Sequence, residues 1–555
     1  MFPALLLLLL QQVTPADLAI QYTADRAALE RLWSAPFSEE RQKRFDTFHE
    51  NWLADVEGME FPNVDRAADV DLVLFKNYLK AEIAKAKRDV ENESESANIL
   101  PFVGPLVLLC EARSLRRDIE PREAADTLAR AVEEIEKFKA EIKGANVAEV
   151  GPAIARRAAK SLEELRRALG SWYRWRADYD PLFTWWCEAP WEALAAELEA
   201  LRESIEEHLG GINPDDEDLL LGDPIGREAL LEELSKEMIA YSPEELLVVA
   251  EKEMKWCEER MAEAVAALGC ADWKEALELV KAAHVGPGDQ PALIRDMAEE
   301  AVKFLEDRNL ITIPDLAKQI WRMEMMSPER QRFSPYFTGG EVISIAFPTS
   351  GMSHEAKMMS MRGNNRHFSR AAVHHELIPG HHLQGYMASR WNTHRRLFRT
   401  AFLVEGWALY WELRLWDLDF PLSSEDQVGM LFWRAHRCAR IIFSLNFHLG
   451  NWSPEDCVAF LMEKIGHEER NARAEVRRSI QGGYGPLYQC AYMVGGLQMR
   501  ALHKEMVLEG HLTEKAFHDT VLRQNSIPIA AIRMALKGEL SESLVTSWRF
   551  YSLED

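Results

Sequence analysis

Apolar residues recur at three- and four-residue steps from about residue 22 to 208, and that period commits the chain to packed helices rather than sheets. Between Ala124 and Ile142 the series Leu128, Val132, Ile135 and Phe138 is separated by Glu, Lys and Arg. Only a helix gathers such a series onto one face. Arg156 to Leu169 repeats the pattern, and Gly210 to Gly226 is a polar, turn-rich break carrying Asn213-Pro214-Asp215-Asp216 and Asp223-Pro224. A second helical region opens at Ser242-Pro243-Glu244-Glu245, where Ser caps, Pro fits the first turn and Glu245 closes a capping box. Ser453-Pro454-Glu455-Asp456 starts another helix by the same chemistry. One patch, Val342 to Phe347, reads as a strand, bounded by Gly339-Gly340 and Pro348-Thr349-Ser350-Gly351. The expected fold class is mostly α with a small sheet: one helical domain over 21–555, with sub-lobes at 21–210 and 227–555.

The N-terminus is a separate matter. Phe2 to Leu10 is an unbroken apolar run, long enough for the core of a signal peptide and too short to span a bilayer. No Lys or Arg precedes it, and Pro15 to Ala19 offers only a poor cleavage site. A signal peptide over 1–20 and export to the periplasm or exterior are the expectation, with a mis-assigned start or a buried N-terminal helix in a cytoplasmic protein as the alternative, and no transmembrane segment. The seven cysteines are widely spaced without a CxxC pair, so they read as small buried apolar residues. A net charge of −25 argues against a nucleic-acid partner, whose phosphates would be repelled.

The chemistry concentrates in Arg370-Ala-Ala-Val-His-His-Glu-Leu-Ile-Pro-Gly-His-His-Leu-Gln384. In a zincin helix, histidines at i and i+4 reach one zinc from one face, and the Glu beside the first points at the water. Here the i+4 position from His375 is Pro379. His382, at i+7, shares the face of His375 but sits about 10.5 Å further along a regular helix. His381 would point away on a regular helix. Pro379 and Gly380, however, can accommodate a bulge that absorbs two residues and returns His381 to the second-ligand position.

With Val404-Glu405-Gly406-Trp407-Ala408-Leu409-Tyr410, this run resembles the family labelled domain of unknown function 885. Its members are regarded as zinc peptidases with the expanded motif H-E-x-x-P-G-H, similar in architecture to the gluzincins, among them carboxypeptidase Taq and neurolysin-like oligopeptidases. The resemblance covers most of the chain, with its specific motifs between about 330 and 500. It implies a two-lobed gluzincin-like fold and a zinc ion held by His375, His381 and Glu405, with Glu376 as general base. Glu405 lies 24 residues beyond His381, room for the rest of one helix, a turn and the start of another. Glu412, two turns further on, is expected in a supporting contact or salt bridge. By matched position the resemblance also implies Tyr492 and His448 as donors to the oxyanion or substrate. The chain departs from the family pattern at Ser444 and Asn446, and at Arg478-Ser479 after Glu475. Those departures bear on local hydrogen bonding and substrate preference.

Hydrolysis of a peptide substrate by zinc-activated water is therefore the expected function. A zinc hydrolase of a non-peptide amide or ester, and a helical binding protein without turnover, are the alternatives. Intact Glu376 argues against the last. Arg437, Arg440 and Arg478 are candidates for a substrate carboxyl terminus, and the Val342 to Phe347 strand for an edge that pairs with an extended peptide.

Overall fold

The structure is a computed structural model that describes residues 13–59, 66–144, 150–213, 216, 219–331, 336–481, 483–538 and 547–554. The apolar run Phe2 to Leu10 lies outside them. Pro15 to Ala19 form the first turn of a helix, Pro15–Leu32, capped by Thr14, with Leu18 and Ala19 buried. By its contacts the chain divides into two units, residues 1–60 with 75–221 and residues 61–74 with 222–555.

The first unit is built on α1 (Pro121–Lys143), α2 (Pro152–Arg176) and α3 (Pro181–Ser204). Each begins with Pro in its first turn, where the missing N–H costs nothing. On α1, Leu128 and Ile135 are fully buried and Val132 and Phe138 pack beside them, so the sequence stripe is the core stripe. Burying one such leucine stabilises by about 1.5–3 kcal/mol.

The second unit carries α4 (Pro243–Leu268), α5 (Arg366–Glu376), α6 (His381–Ala388), α7 (Ala401–Asp417), α8 (Ser424–His448), α9 (Pro454–Ile465), α10 (Glu469–Gln481) and α11 (Tyr488–His503). Capping boxes at Ser242 and Ser453 start α4 and α9 as their sequences require. The axis of the unit is α8, buried over nearly its whole length although it carries Arg434, His436, Arg437 and Arg440. Arg434 of α8 donates to Glu253 of α4 at 2.6 Å and lies over the Trp256 ring, a buried pair joining the two helices.

Two strands pair in parallel, β1 (Arg322–Met325) and β2 (Val342–Ile345). The strand patch is thus real, but its role as a substrate edge needs correction. β1 runs along one side of β2, and on the other Thr338 and Ser344 exchange backbone hydrogen bonds at 3.1 and 2.8 Å. At Ser344, β2 has no free edge. All seven cysteines are free, and five are buried. Among the described residues no helix is long and apolar enough to cross a membrane.

Burial also sets an acid limit. His518 accepts from Tyr410 Oη and donates to the Leu310 carbonyl, both at 2.8 Å, and His467 pairs with His436 at 3.0 Å. Burial pushes His448, His467 and His518 down to about 4. In the unfolded chain each binds a proton below about 6.5. Between pH 6.5 and 4 the unfolded state therefore holds more protons, and stability falls as pH falls, by about 1.4 kcal/mol per group per pH unit. The thermal midpoint should drop steeply between pH 6.5 and 4.5; a flat profile there would contradict these burials.

Candidate metal centre

Helix α5 starts at Asn365, whose side chain accepts from the His367 and Phe368 amides, and it ends at Glu376. Pro379 cannot continue it. The turn Leu377–Gly380, with a cis Ile378–Pro379 bond, then delivers His381 as the first residue of α6. The expected bulge inside one helix is thus a break between two. A Cβ on Gly380 would lie 1.8 Å from the His375 carbonyl oxygen, so only glycine fits this turn. From α7, Trp407 donates its indole N–H to the Pro379 carbonyl at 2.8 Å and braces the turn from behind.

That break brings the predicted residues together. His375 Nε2 and His381 Nε2 lie 3.8 and 3.2 Å from Glu405 Oε2, and the three ligand atoms fall within 4.8 Å of one another. The two imidazoles stand perpendicular, with ring centroids 4.8 Å apart. His382 is turned away, its Nε2 at 2.7 Å from the Ala317 carbonyl. On α7, Glu405 and Glu412 are two turns apart, about 10.5 Å along the axis, and the His375 ring spans the gap. Its Nδ1 meets Glu412 Oε1 at 2.6 Å while its Nε2 faces Glu405. Glu412 thus fixes the ring tautomer, as an outer carboxylate does for a ligating histidine.

The donor set suits a divalent cation. Glu405 Oε2 is buried without a hydrogen bond, whereas Oε1 accepts from Tyr488 Oη at 2.5 Å. One carboxylate oxygen is occupied and the other is left for a ligand. Burial works to raise Glu405, but the His381 and His375 imidazoles outweigh it and hold it well below the usual range. Burial likewise works to depress His375, yet Glu405 and Glu412 raise it to about 9. The spot attracts positive charge. Two imidazoles and a carboxylate are the ligands of many catalytic zinc sites, which keep a fourth position open.

Glu376 closes one side of a cavity of about 460 Å³. Gly340 donates its N–H to the Glu376 carbonyl at 3.2 Å, and a Cβ on Gly339 would lie 2.3 Å from Glu376 Oε2. The Gly339-Gly340 pair is therefore the lid that seats this carboxylate, and Phe337 to Gly340 face the cavity. Burial raises Glu376 despite the neighbouring imidazoles, the direction a general base needs.

Tyr492 lines the cavity and stacks on His375 with centroids 6.1 Å apart; its hydroxyl lies 3.4 Å from that of Tyr488. His448 is not among the residues lining the cavity, and here the sequence expectation is corrected. The cavity face of α8 carries Trp433, Arg437 and Arg440, at helical spacing. His448 lies eight residues beyond Arg440, about 12 Å further along. It is buried against Phe447 at the C-terminal end. Tyr488 was missed: the i, i+4 spacing from Tyr492 was the available signal, since it puts both hydroxyls on one face of α11.

Comparison with known proteins was consistent with this fold. A structure from Shewanella oneidensis, provisionally described as a lipoprotein of unknown function, has a TM-score of 0.67 at 16% identity, covering 94% of this chain and 99% of that one. A second, from Colwellia psychrerythraea and provisionally described as a lipoprotein, has a TM-score of 0.59 at 15% identity, covering 95% and 98%. At such identities the likeness speaks for the fold alone. No curated protein matches the chain. The family model for a bacterial protein of unknown function (DUF885) matches residues 20–536. The chain belongs to that family.

Proposed function

We propose that the protein is a zinc-dependent peptidase, the reading supported by the convergence of His375, His381 and Glu405 beside Glu376. When bound there, zinc supplies Lewis acidity to a water and to the scissile carbonyl. Glu376 accepts the proton of the attacking water and returns it to the departing amine. Tyr488 holds Glu405 through Oε1, and Glu412 holds His375 through Nδ1, so both ligands are oriented before substrate arrives. Burial raises Tyr492, which keeps its hydroxyl a neutral donor toward the developing oxyanion. The apolar run Phe2 to Leu10 supports action outside the cytoplasm.

A peptide library digested by the zinc-supplied full chain and read by mass spectrometry tests the proposal. Cleavage should vanish on chelation and return with zinc. Cleavage that survives chelation, or no cleavage of any peptide with zinc present, would refute it.

A further inference from the structure

One wall of the cavity carries Arg437 and Arg440 from α8 and Arg478 from α10. The guanidinium carbons of Arg437 and Arg440 lie 5.0 and 4.6 Å from the Tyr492 ring centroid. That ring in turn stacks on His375. The arginines begin one aromatic ring away from the ligand set.

The carboxylates around these arginines do not balance them. Glu475 accepts from Arg440 Nε at 2.6 Å. Glu412 is engaged by His375 at 2.6 Å and reaches Arg437 only at 3.5 Å. Among the described residues no hydrogen bond and no carboxylate at ion-pair distance reaches the Arg478 side chain, which rests against the Tyr484 ring with its Nε buried. Arg437 is 8% exposed, and its Nε is also buried without a partner. At ion-pair distance these three cations meet two carboxylates, one of them already committed to a metal-ligand histidine, while Glu475 acts on Arg478 and Glu376 on Arg437 only from further off. A buried charge without a counterion is costly, and a guanidinium fork matches a carboxylate with two parallel hydrogen bonds.

We propose that Arg478 and Arg437 form a subsite for a carboxylate of the substrate. The peptide is then held by its free C-terminus, or by an Asp or Glu side chain, beside the scissile bond. For turnover this rests on the peptidase reading; for binding it does not.

The test is affinity ultrafiltration with the zinc-supplied full-length Glu376→Gln chain, in which cleavage is slowed enough for binding to be read. Three pools of N-acetylated tetrapeptides compete: free acids without Asp or Glu, their C-terminal amides, and amides carrying one Asp or Glu. Retention of the first or third pool at least about tenfold over the neutral amides is expected, and the pool retained identifies the source of the carboxylate. Adding Arg478→Met should bring that preference close to unity, and Arg478→Lys should restore part of it, with thermal midpoint and zinc content unchanged in both. Equal retention of all pools, retention of none, or a preference that Arg478→Met leaves intact would overturn the subsite. Retention needs no hydrolysis. A chain that binds acids selectively yet cleaves nothing would therefore sink the peptidase reading and leave the subsite standing.

Discussion

Glu376→Gln is expected to lower peptide turnover by about 10²–10⁴-fold, the range for loss of a general acid–base group, while the chain keeps its zinc. The substitution preserves shape. An amide still fits under Gly339, where a Cβ on the glycine would already lie 2.3 Å from Oε2. What it removes is the ability to accept a proton from water and pass it to the amine. Glu376 is outside the ligand triad, so metal content measured on the same preparation should match the unsubstituted chain. Residual turnover within tenfold of wild type would mean that another group moves the proton.

Gly495→Ala should destabilise the second unit and cost it the metal, although alanine is the better helix former by about 1 kcal/mol. A Cβ there would lie 2.0 Å from the Phe402 carbonyl oxygen and 2.9 Å from the Gly406 Cα. Those atoms are backbone and cannot rotate aside. Helices α7 and α11 would have to separate, and they carry Glu405 on one side and Tyr488 and Tyr492 on the other. Overpacking costs about 1–3 kcal/mol or more, which outweighs the gain in propensity. The thermal midpoint should fall by several degrees, with zinc content falling alongside. Gly385→Ala provides the contrast. A Cβ there meets nothing within 4 Å, and it lies inside α6, so it should hold or raise the midpoint. A Gly495→Ala chain as stable as wild type would mean that the helices are not held at backbone contact.

How far the sequence reached depended on whether the signal was local. The stripe Leu128, Val132, Ile135 and Phe138 and the boxes at Ser242 and Ser453 are local patterns, and the structure keeps them. β1 was invisible because Arg322–Met325 is only four residues long, too short for the alternation of Met323 and Met325 with Arg322 and Glu324 to stand out. The sequence also gives no sign that residues 66–74 join the second unit, since such a placement depends on tertiary contacts. His375, His381 and Glu405 were legible because a metal site would demand fixed residue types, and Glu376 because a base beside such a site must be a proton acceptor next to the first histidine. The Pro379–Gly380 break required only that the helix change direction, so its form could not be read in advance. His448 was misplaced because a matched position says nothing about which turn of α8 faces the cavity. Gly406 looked like one member of a motif, and its purpose emerges only against Gly495.

His375, His381 and Glu405 are proposed to hold one ion between them. A crystal of the zinc-supplied chain, with anomalous scattering recorded on both sides of the zinc edge, tests it most directly. A single strong peak is expected, enclosed by His375 Nε2, His381 Nε2 and Glu405 Oε2 and absent in crystals of His381→Ala. A cavity without such a peak, or zinc bound by other side chains, would contradict it.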